Sequence, residues 1–354
     1  MTTKTNLSNN KIVIILDNTR KQSDYKGYIL RLYFKQHYGL DSEIVYFQHL
    51  SKYPKDSNAI FLPLSMKAAN ELYYYNFENT LVNDPKLTYI LDNKDTCSAF
   101  IRELGITQIP TFNNTTFSPT EFKRFVEKTQ FPQYIVKNKD TMGSKDMYLV
   151  NFENVVNEYE NHKITTNYVV QPYLTNIKLY AIDCLCDNGT IIATLVNISP
   201  LFFKEKRFHK QRFRDLNHFI IKEDHPLYGK ILDTTQKVVS ATNYSGFIEI
   251  EYVHNSDNDI MYLMEINPRL SGNILLSNKN RIPYVDSIIS NYVNHLQNKP
   301  SRTLSVDTTK TIKVWYYIFT ITVSLLVIIL VIILLAKYLK TKPVSAPKLK
   351  RMKK

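Results

Sequence analysis

Apolar and polar positions change period several times along the chain, and each change marks an element. Lys11–Leu16 (KIVIIL) is an apolar run rich in β-branched residues, the pattern of a parallel strand buried on both faces. Apolar residues then recur at helical spacing over Tyr25–Tyr38, and Glu43–Phe47 and Ala59–Leu62 read as strands, with Met66–Tyr75 as another helix. Leu87–Leu91 (LTYIL) reads as a last short strand. Such alternation predicts a small doubly wound parallel-sheet domain over residues 1–92. It carries no glycine-rich phosphate fingerprint, so it is a scaffold that contributes at most to a substrate pocket. Further on, Ala99, Phe100, Ile101 and Leu104 form a helical stripe closed by Gly105. Gln133–Val150 reads as strand–loop–strand with its turn at Gly143-Ser144, and Asn167–Leu174 as a strand entering a linker. Leu179–Leu185 and Thr190–Val196 form a hairpin across Asp187-Asn188-Gly189, and Leu227–Ala241 and Tyr284–Gln297 are helices.

Gly246–Asn273 (GFIEIEYVHNSDNDIMYLMEINPRLSGN) holds the densest chemistry. Phe247–Val253 and Met261–Asn267 alternate with period two around a polar, turn-forming segment, which predicts an antiparallel hairpin. Placing Glu251 opposite Glu265 sets Val253 against Leu263 and Glu249 against Asn267, closed by a turn of about five residues. Glu249, Glu251, Glu265 and Asn267 then share one face. That many oxygen donors repel one another without a cation between them, and hard oxygens suit magnesium. Pro268 ends the strand, and Arg269 follows where it can reach a phosphate beside the metal. Taken alone, an acidic face on a hairpin is more often merely solvated.

Composition alters this picture mainly at the C-terminus. A chain of 354 residues has room for two or three domains. Its formal charge of +13 suggests an anionic partner, yet eight Lys or Arg and no acid lie from Lys337 onward. The remainder is only about +5, so nucleic-acid binding is not implied for the globular part and is left to the basic tail. Lys204–Arg214 interleaves basic residues with phenylalanines, a pattern that binds nucleic acid in some proteins and more often is a solvated loop. Cys97, Cys184 and Cys186 form neither a metal set nor an even disulfide framework, which fits a reducing compartment. Val314–Ala336 runs 23 residues without a charge, longer than a hydrocarbon core requires. Trp315, Tyr316 and Tyr317 make an aromatic belt at one end, and Lys337 and Lys340 flank the other. A single C-terminal transmembrane helix is therefore expected. Because Met1–Asn10 lacks the apolar segment of a signal peptide, the preferred topology is a tail anchor with the globular part in the cytosol.

The run Glu265-Ile266-Asn267-Pro268-Arg269, with Ser271-Gly272 behind it, resembles the metal hairpin of the ATP-grasp superfamily. The likeness is to the carbamoyl-phosphate synthetase and carboxylate–amine ligase branch, and it spans most of residues 93–275 in family order. It implies that Glu251, Glu265 and Asn267 hold magnesium (or manganese) and that Arg269 serves the transferred phosphate. Lys94 takes the place of a basic residue that reaches the ATP phosphates; a solvated surface lysine is the plain alternative there. Lys137 matches the family's other phosphate-binding cation, with Gly143 and Ser144 in the loop that folds over the triphosphate. Gln171 matches the hinge group beside adenine, with Tyr173 and Leu174 in the apolar sleeve. Three departures stand out: the lid has a single glycine, Asn138 replaces a customary proline, and Leu179 occupies the place of a glutamate on the ribose hydroxyls.

The expected class is α/β, an α+β ATP-grasp protein. Its N-terminal doubly wound parallel sheet (1–92) precedes a small lobe with the phosphate lid (93–172) and a large lobe with the metal hairpin (173–298). A linker (299–313), the transmembrane helix (314–336) and the basic tail (337–354) follow. The resemblance implies a membrane-anchored, ADP-forming ligase that uses ATP to turn a small carboxylate into an acylphosphate, which an amine then attacks. Two other readings remain open. One is a non-catalytic nucleotide-binding membrane protein, favoured by the three departures; the other is a basic-tailed tether for nucleic acid or acidic protein.

Overall fold

In the computed structural model the described residues run from 11 to 298, except 18–20, 56, 114–115, 140–145, 200–218 and 273–283. Gly143 and Ser144, the Lys204–Arg214 segment, the linker, Val314–Ala336 and the basic tail lie outside them. Among the described residues no helix is long and apolar enough to cross a membrane.

The first apolar runs form a parallel sheet of order β2-β1-β3, from β1 (Ile12–Leu16), β2 (Ser42–Tyr46) and β3 (Ile60–Pro63). Alternation splits β1 between two cores. Ile12, Ile14 and Leu16 pack with Leu30 of α1 (Lys21–Tyr33), while Val13 and Ile15 pack with Ala68 and Leu72 of α2 (Met66–Tyr75). Helices thus cover both faces of the sheet. Leu87–Leu91 is not a strand, however; it lies in α3 (Pro85–Asp92). Asp84 caps that helix by accepting from the Lys86 N–H at 2.8 Å, and Pro85 supplies a preset first-turn φ. A five-residue apolar stretch cannot distinguish the two periods, so the cap decides.

After α4 (Lys94–Glu103), Gly105 takes φ +64 as the helix terminator. The buried face of α4 runs through Cys97, Ser98 and Ile101, with Ala99 exposed, so the apolar stripe is rotated from the expected one. A second sheet of order β4-β7-β5-β6 follows, from β4 (Phe112–Asn113), β5 (Gln133–Asn138), β6 (Met147–Asn151) and β7 (Tyr168–Pro172). One face packs Tyr134 and Val136 against Phe122 and Val126 of α5 (Pro119–Thr129) and Val155 and Tyr159 of α6 (Phe152–Glu160).

The third sheet is antiparallel, β10-β9-β8-β11-β12. It comprises β8 (Ile177–Asp187), β9 (Thr190–Ser199), β10 (Phe219–Ile220), β11 (Gly246–Asn255) and β12 (Ile260–Asn267). On one face Ile248, Ile250 and Tyr252 meet Ile101 of α4 and Ile231, Val238 and Val239 of α7 (Tyr228–Thr242). On the other, Leu185, Leu195 and Phe247 share a core with β1 and the final helical segment, a π-helical turn (Val285–Ile289) leading into α8 (Ser290–Gln297). Tyr292 of α8 donates its hydroxyl to the Phe61 carbonyl of β3 at 2.5 Å, tying the last helix to the first sheet. Gly246 opens β11 at φ +111, where a Cβ would stand 2.8 Å from the Leu81 carbonyl oxygen, so only glycine fits.

Candidate functional site

The hairpin β11–β12 pairs Glu249 with Asn267 and Glu251 with Glu265, the expected register at its open end. Beyond Glu251 the register slips: Tyr252 faces Leu263 and Val253 faces Tyr262, so Val253 is not opposite Leu263. Met264 is the extra residue of a bulge. The insertion has a clear purpose, because side chains alternate strictly. Paired without a bulge, the same residues would put Met264 opposite Tyr252, Leu263 on the acidic face and Tyr262 on the core face. With it, Leu263 and Met261 stay in the core with Tyr252, while Glu265 and Asn267 remain beside Glu251 and Glu249. The turn is also shorter than expected, since Asn255 pairs with Ile260.

Buried position sets the protonation of this face. Glu251 is held well above the usual carboxylate range by burial, then by the charges of Glu265 and Glu249, and Arg269 and Lys137 oppose the rise. Glu265 is raised by burial too, while Lys94, Lys137 and Arg269 pull it back. Both keep some solvent-facing surface although protein surrounds them, which is the situation of groups on a cleft floor. Asn267 is buried; its Nδ2 donates to Glu251 Oε1 at 3.3 Å, and its Oδ1 accepts from Arg269 Nη2 at 3.2 Å. Two carboxylates and an amide make an all-oxygen donor set whose repulsion a divalent cation would relieve, so these residues fit magnesium or manganese. Among the described residues no three His, Cys, Asp or Glu are grouped to hold a metal ion by themselves. Any ion here therefore takes its remaining ligands from water or a bound oxyanion.

The cations arrive from the other elements. Lys137, near the end of β5, is depressed by burial and by Lys94, and supported by Glu265 and Glu251. Lys94 is the first residue of α4, where Asn93 caps the helix by accepting from the Asp95 and Thr96 N–H groups at 3.1 and 3.2 Å. Its Nζ donates to the Lys139 carbonyl at 2.8 Å, and Lys139 Nζ lies 2.6 Å from Asp95 Oδ2. Lys94 is thus built into the junction with the β5–β6 connection, which disfavours the solvated alternative. Arg269 Nη1 lies 3.6 Å from Glu249 Oε2, and the charge of Arg269 also reaches Asp92, whose carboxyl burial raises.

Gln171 on β7 donates Nε2 to Thr111 Oγ1 at 2.8 Å, while its buried Oε1 has no hydrogen-bond partner among the described residues. Leu174 is buried with Ile109, Val253 and Tyr262, and Leu179 and the bulged Met264 pack on that cluster. Tyr173 is half-buried beside it, its N–H on the Gln133 carbonyl at 2.9 Å. Sequence reasoning missed Asp92, the Asp95–Lys139 ion pair, Met264, and the tie of Ser271 Oγ to Glu249 Oε1 at 2.9 Å. Only the ionisable members left a trace in the chain, and nothing in their spacing pairs them.

Two oxygen-rich strands close to Lys137 of a smaller antiparallel sheet and to Lys94 at the start of α4 define a two-lobed α+β protein with acids and cations gathered where the lobes meet. A sequence model of the ATP-grasp domain matches residues 91–273, just over half of the chain, and the chain belongs to that family. No curated protein matches it in sequence. Among solved structures it is similar to D-alanyl-alanine synthetase A from Vibrio cholerae, with a TM-score of 0.56 and 13% identity over 81% of this chain and 97% of that one. It is likewise similar to D-alanine–D-alanine ligase from Bacillus anthracis complexed with ATP, at 0.54 and 13%, over 82% and 99% of the two chains. N5-carboxyaminoimidazole synthetase from Staphylococcus aureus complexed with ADP follows at 0.51 and 15%, over 75% and 71%. At these identities the likeness is one of fold.

Proposed function

We propose that this chain is an ADP-forming ATP-grasp ligase that phosphorylates a small carboxylate and couples the acylphosphate to an amine. The observation that carries the reading is the meeting of Glu251, Glu265 and Asn267 with Lys137, Lys94 and Arg269 in one partly enclosed site. Glu251, Glu265 and Asn267 would hold magnesium or manganese, which supplies charge neutralisation at the phosphates when bound. Lys94 and Lys137 would bind the nucleotide phosphates, and Arg269 would hold the transferred phosphoryl oxygens, the positioning role that phosphoryl transfer asks of a protein. Gln171 Oε1, without a hydrogen-bond partner among the described residues, would accept from an amino group such as that of adenine, and Tyr173 and the cluster of Leu174 and Met264 would supply the apolar wall. Gly143 and Ser144 would cover the triphosphate. Among ATP-grasp branches, the carbamoyl-phosphate synthetase side is the one that the Glu-Ile-Asn-Pro-Arg run supports.

The 23 uncharged residues Val314–Ala336 support a membrane tether, with the ligase on the cytosolic side. Leu179 favours a second reading, a nucleotide binder without turnover, since an apolar side chain within the Leu174 cluster cannot accept from ribose hydroxyls. The deciding experiment screens a chain ending near Thr309 for ADP release in Mg-ATP on a panel of carboxylates and amines. Substrate-dependent release supports the ligase. ATP binding without release on any pair supports the binder, and the absence of ATP binding sinks both.

A further inference from the structure

We propose that Glu249 is a positioning residue that holds the Arg269 guanidinium away from Glu251 and Glu265, keeping those carboxylates available to a divalent cation. The inference rests on the reading of the hairpin as a metal–nucleotide site. Glu249 is the most enclosed of the three hairpin glutamates, 9% exposed. Ser271 Oγ donates to its Oε1 at 2.9 Å, and Arg269 Nη1 stands 3.6 Å from its Oε2. Both oxygens are engaged by the residues that follow the strand end.

The backbone of Arg269 is fixed by its N–H, which donates to the Asn267 carbonyl at 2.8 Å. Only side-chain torsions then decide where the positive charge rests. Its guanidinium donates to Asn267 Oδ1 at 3.2 Å and to the Leu270 carbonyl at 3.4 Å. Two other acceptors compete for it, because Arg269 already acts electrostatically on Glu251 and Glu265. A guanidinium is a fork that takes carboxylate oxygens two at a time, and seated on that pair it would exclude a metal ion. Burying a third carboxylate at Glu249 carries a desolvation cost that a hydrogen bond to Ser271 alone does not require. Glutamine would serve Ser271 as well. What glutamine lacks is the charge, and the charge is what draws Arg269 to the far side.

The test is manganese binding to the full chain in the presence of ADP, followed by the paramagnetic resonance of free Mn2+. Glu249→Gln keeps the shape and the acceptor for Ser271 but removes the charge. Its manganese affinity is expected to fall by about tenfold, while metal-free ADP affinity changes by less than about twofold. Glu249→Asp should restore affinity to within about threefold of wild type. In an Arg269→Ala background Glu249→Gln should have no further effect, since the competitor is gone. Wild-type affinity in Glu249→Gln, or an undiminished loss in the Arg269→Ala background, overturns the proposal. If Glu249→Gln does not fold, Ser271→Ala takes its place in the same cycle, loosening the carboxylate without removing it. A loss that Arg269→Ala abolishes then supports the proposal, and any other outcome overturns it. Wild-type protein that binds no manganese–ADP fails the metal–nucleotide reading itself and this inference with it.

Discussion

At the residue scale the site is a balance between burial and charge. Burial is the largest cause that raises Glu251 and Glu265, so charged carboxylates on this face cost stability unless a cation offsets them. Glu265→Gln should therefore leave the fold intact and slightly raise the melting temperature without ligand. Magnesium-dependent ATP affinity should fall by about tenfold, ~1.4 kcal/mol, in calorimetry with and without the metal. Equal affinities would return the hairpin to a solvated face. Cys97 lies behind the same strand, and its thiol is pushed up to about 12 by burial and then by Glu265. All three cysteines are buried. Iodoacetamide at pH 8 should leave the native protein unlabelled and modify it on unfolding; rapid native labelling would contradict the packing. The shared face of Glu251, Glu265 and Asn267 was readable because a period of two fixes which side chains lie together. The Glu249–Arg269 pairing was not, because a residue after the strand end has no register to place it.

At the element scale the bulge at Met264 reconciles two demands on one strand. Deleting Met264 would close the bulge with Leu263 still opposite Tyr252 and Glu265 still opposite Glu251, so both faces are kept and only the packing of Met264 on the Leu174 cluster is lost. Magnesium-dependent ATP binding should therefore survive the deletion to within about tenfold, with stability lowered by about 1 kcal/mol in urea titration for the lost apolar contacts. Abolished binding would show that the local bend of the bulge, and not only the order of side chains, shapes the site. Helix caps act on a smaller scale. Ser65 caps α2 by accepting from the Ala68 N–H at 3.1 Å, and Ser65→Ala should cost about 1 kcal/mol by the same titration. Caps also explain the misread strand, since Asp84-Pro85 was the only local sign that Leu87–Leu91 winds into a helix.

At the scale of the whole molecule, the first and last described elements share one core. Tyr284, Val285, Ile288, Ile289, Tyr292, Val293 and Leu296 are buried with Ile12, Ile14 and Leu30. Each such side chain contributes about 1.5–3 kcal/mol of burial, against a net stability of about 5–15 kcal/mol for a domain. A chain ending near Thr309 should consequently unfold at the temperature of the full chain. One ending at residue 283 should lose cooperative unfolding in a thermal melt. Comparable melting of the two would place the closing helix outside the stabilising core.

The sequence by itself determined the periods, and with them most strands, the hairpin register at its open end, the shared face of Glu251, Glu265 and Asn267, and the family. Those features are local, since alternation and turn residues act within a few positions. Tertiary structure alone decided which residues from distant segments meet. It brought Lys94 and Lys137 to the hairpin carboxylates, turned α4 to bury Cys97 rather than Ala99, and folded the last helix onto the first strand. It also placed Met264 in a bulge, because only packing on both faces at once makes one extra residue favourable. Periodicity specifies faces; which faces oppose one another is settled by burial over the whole chain.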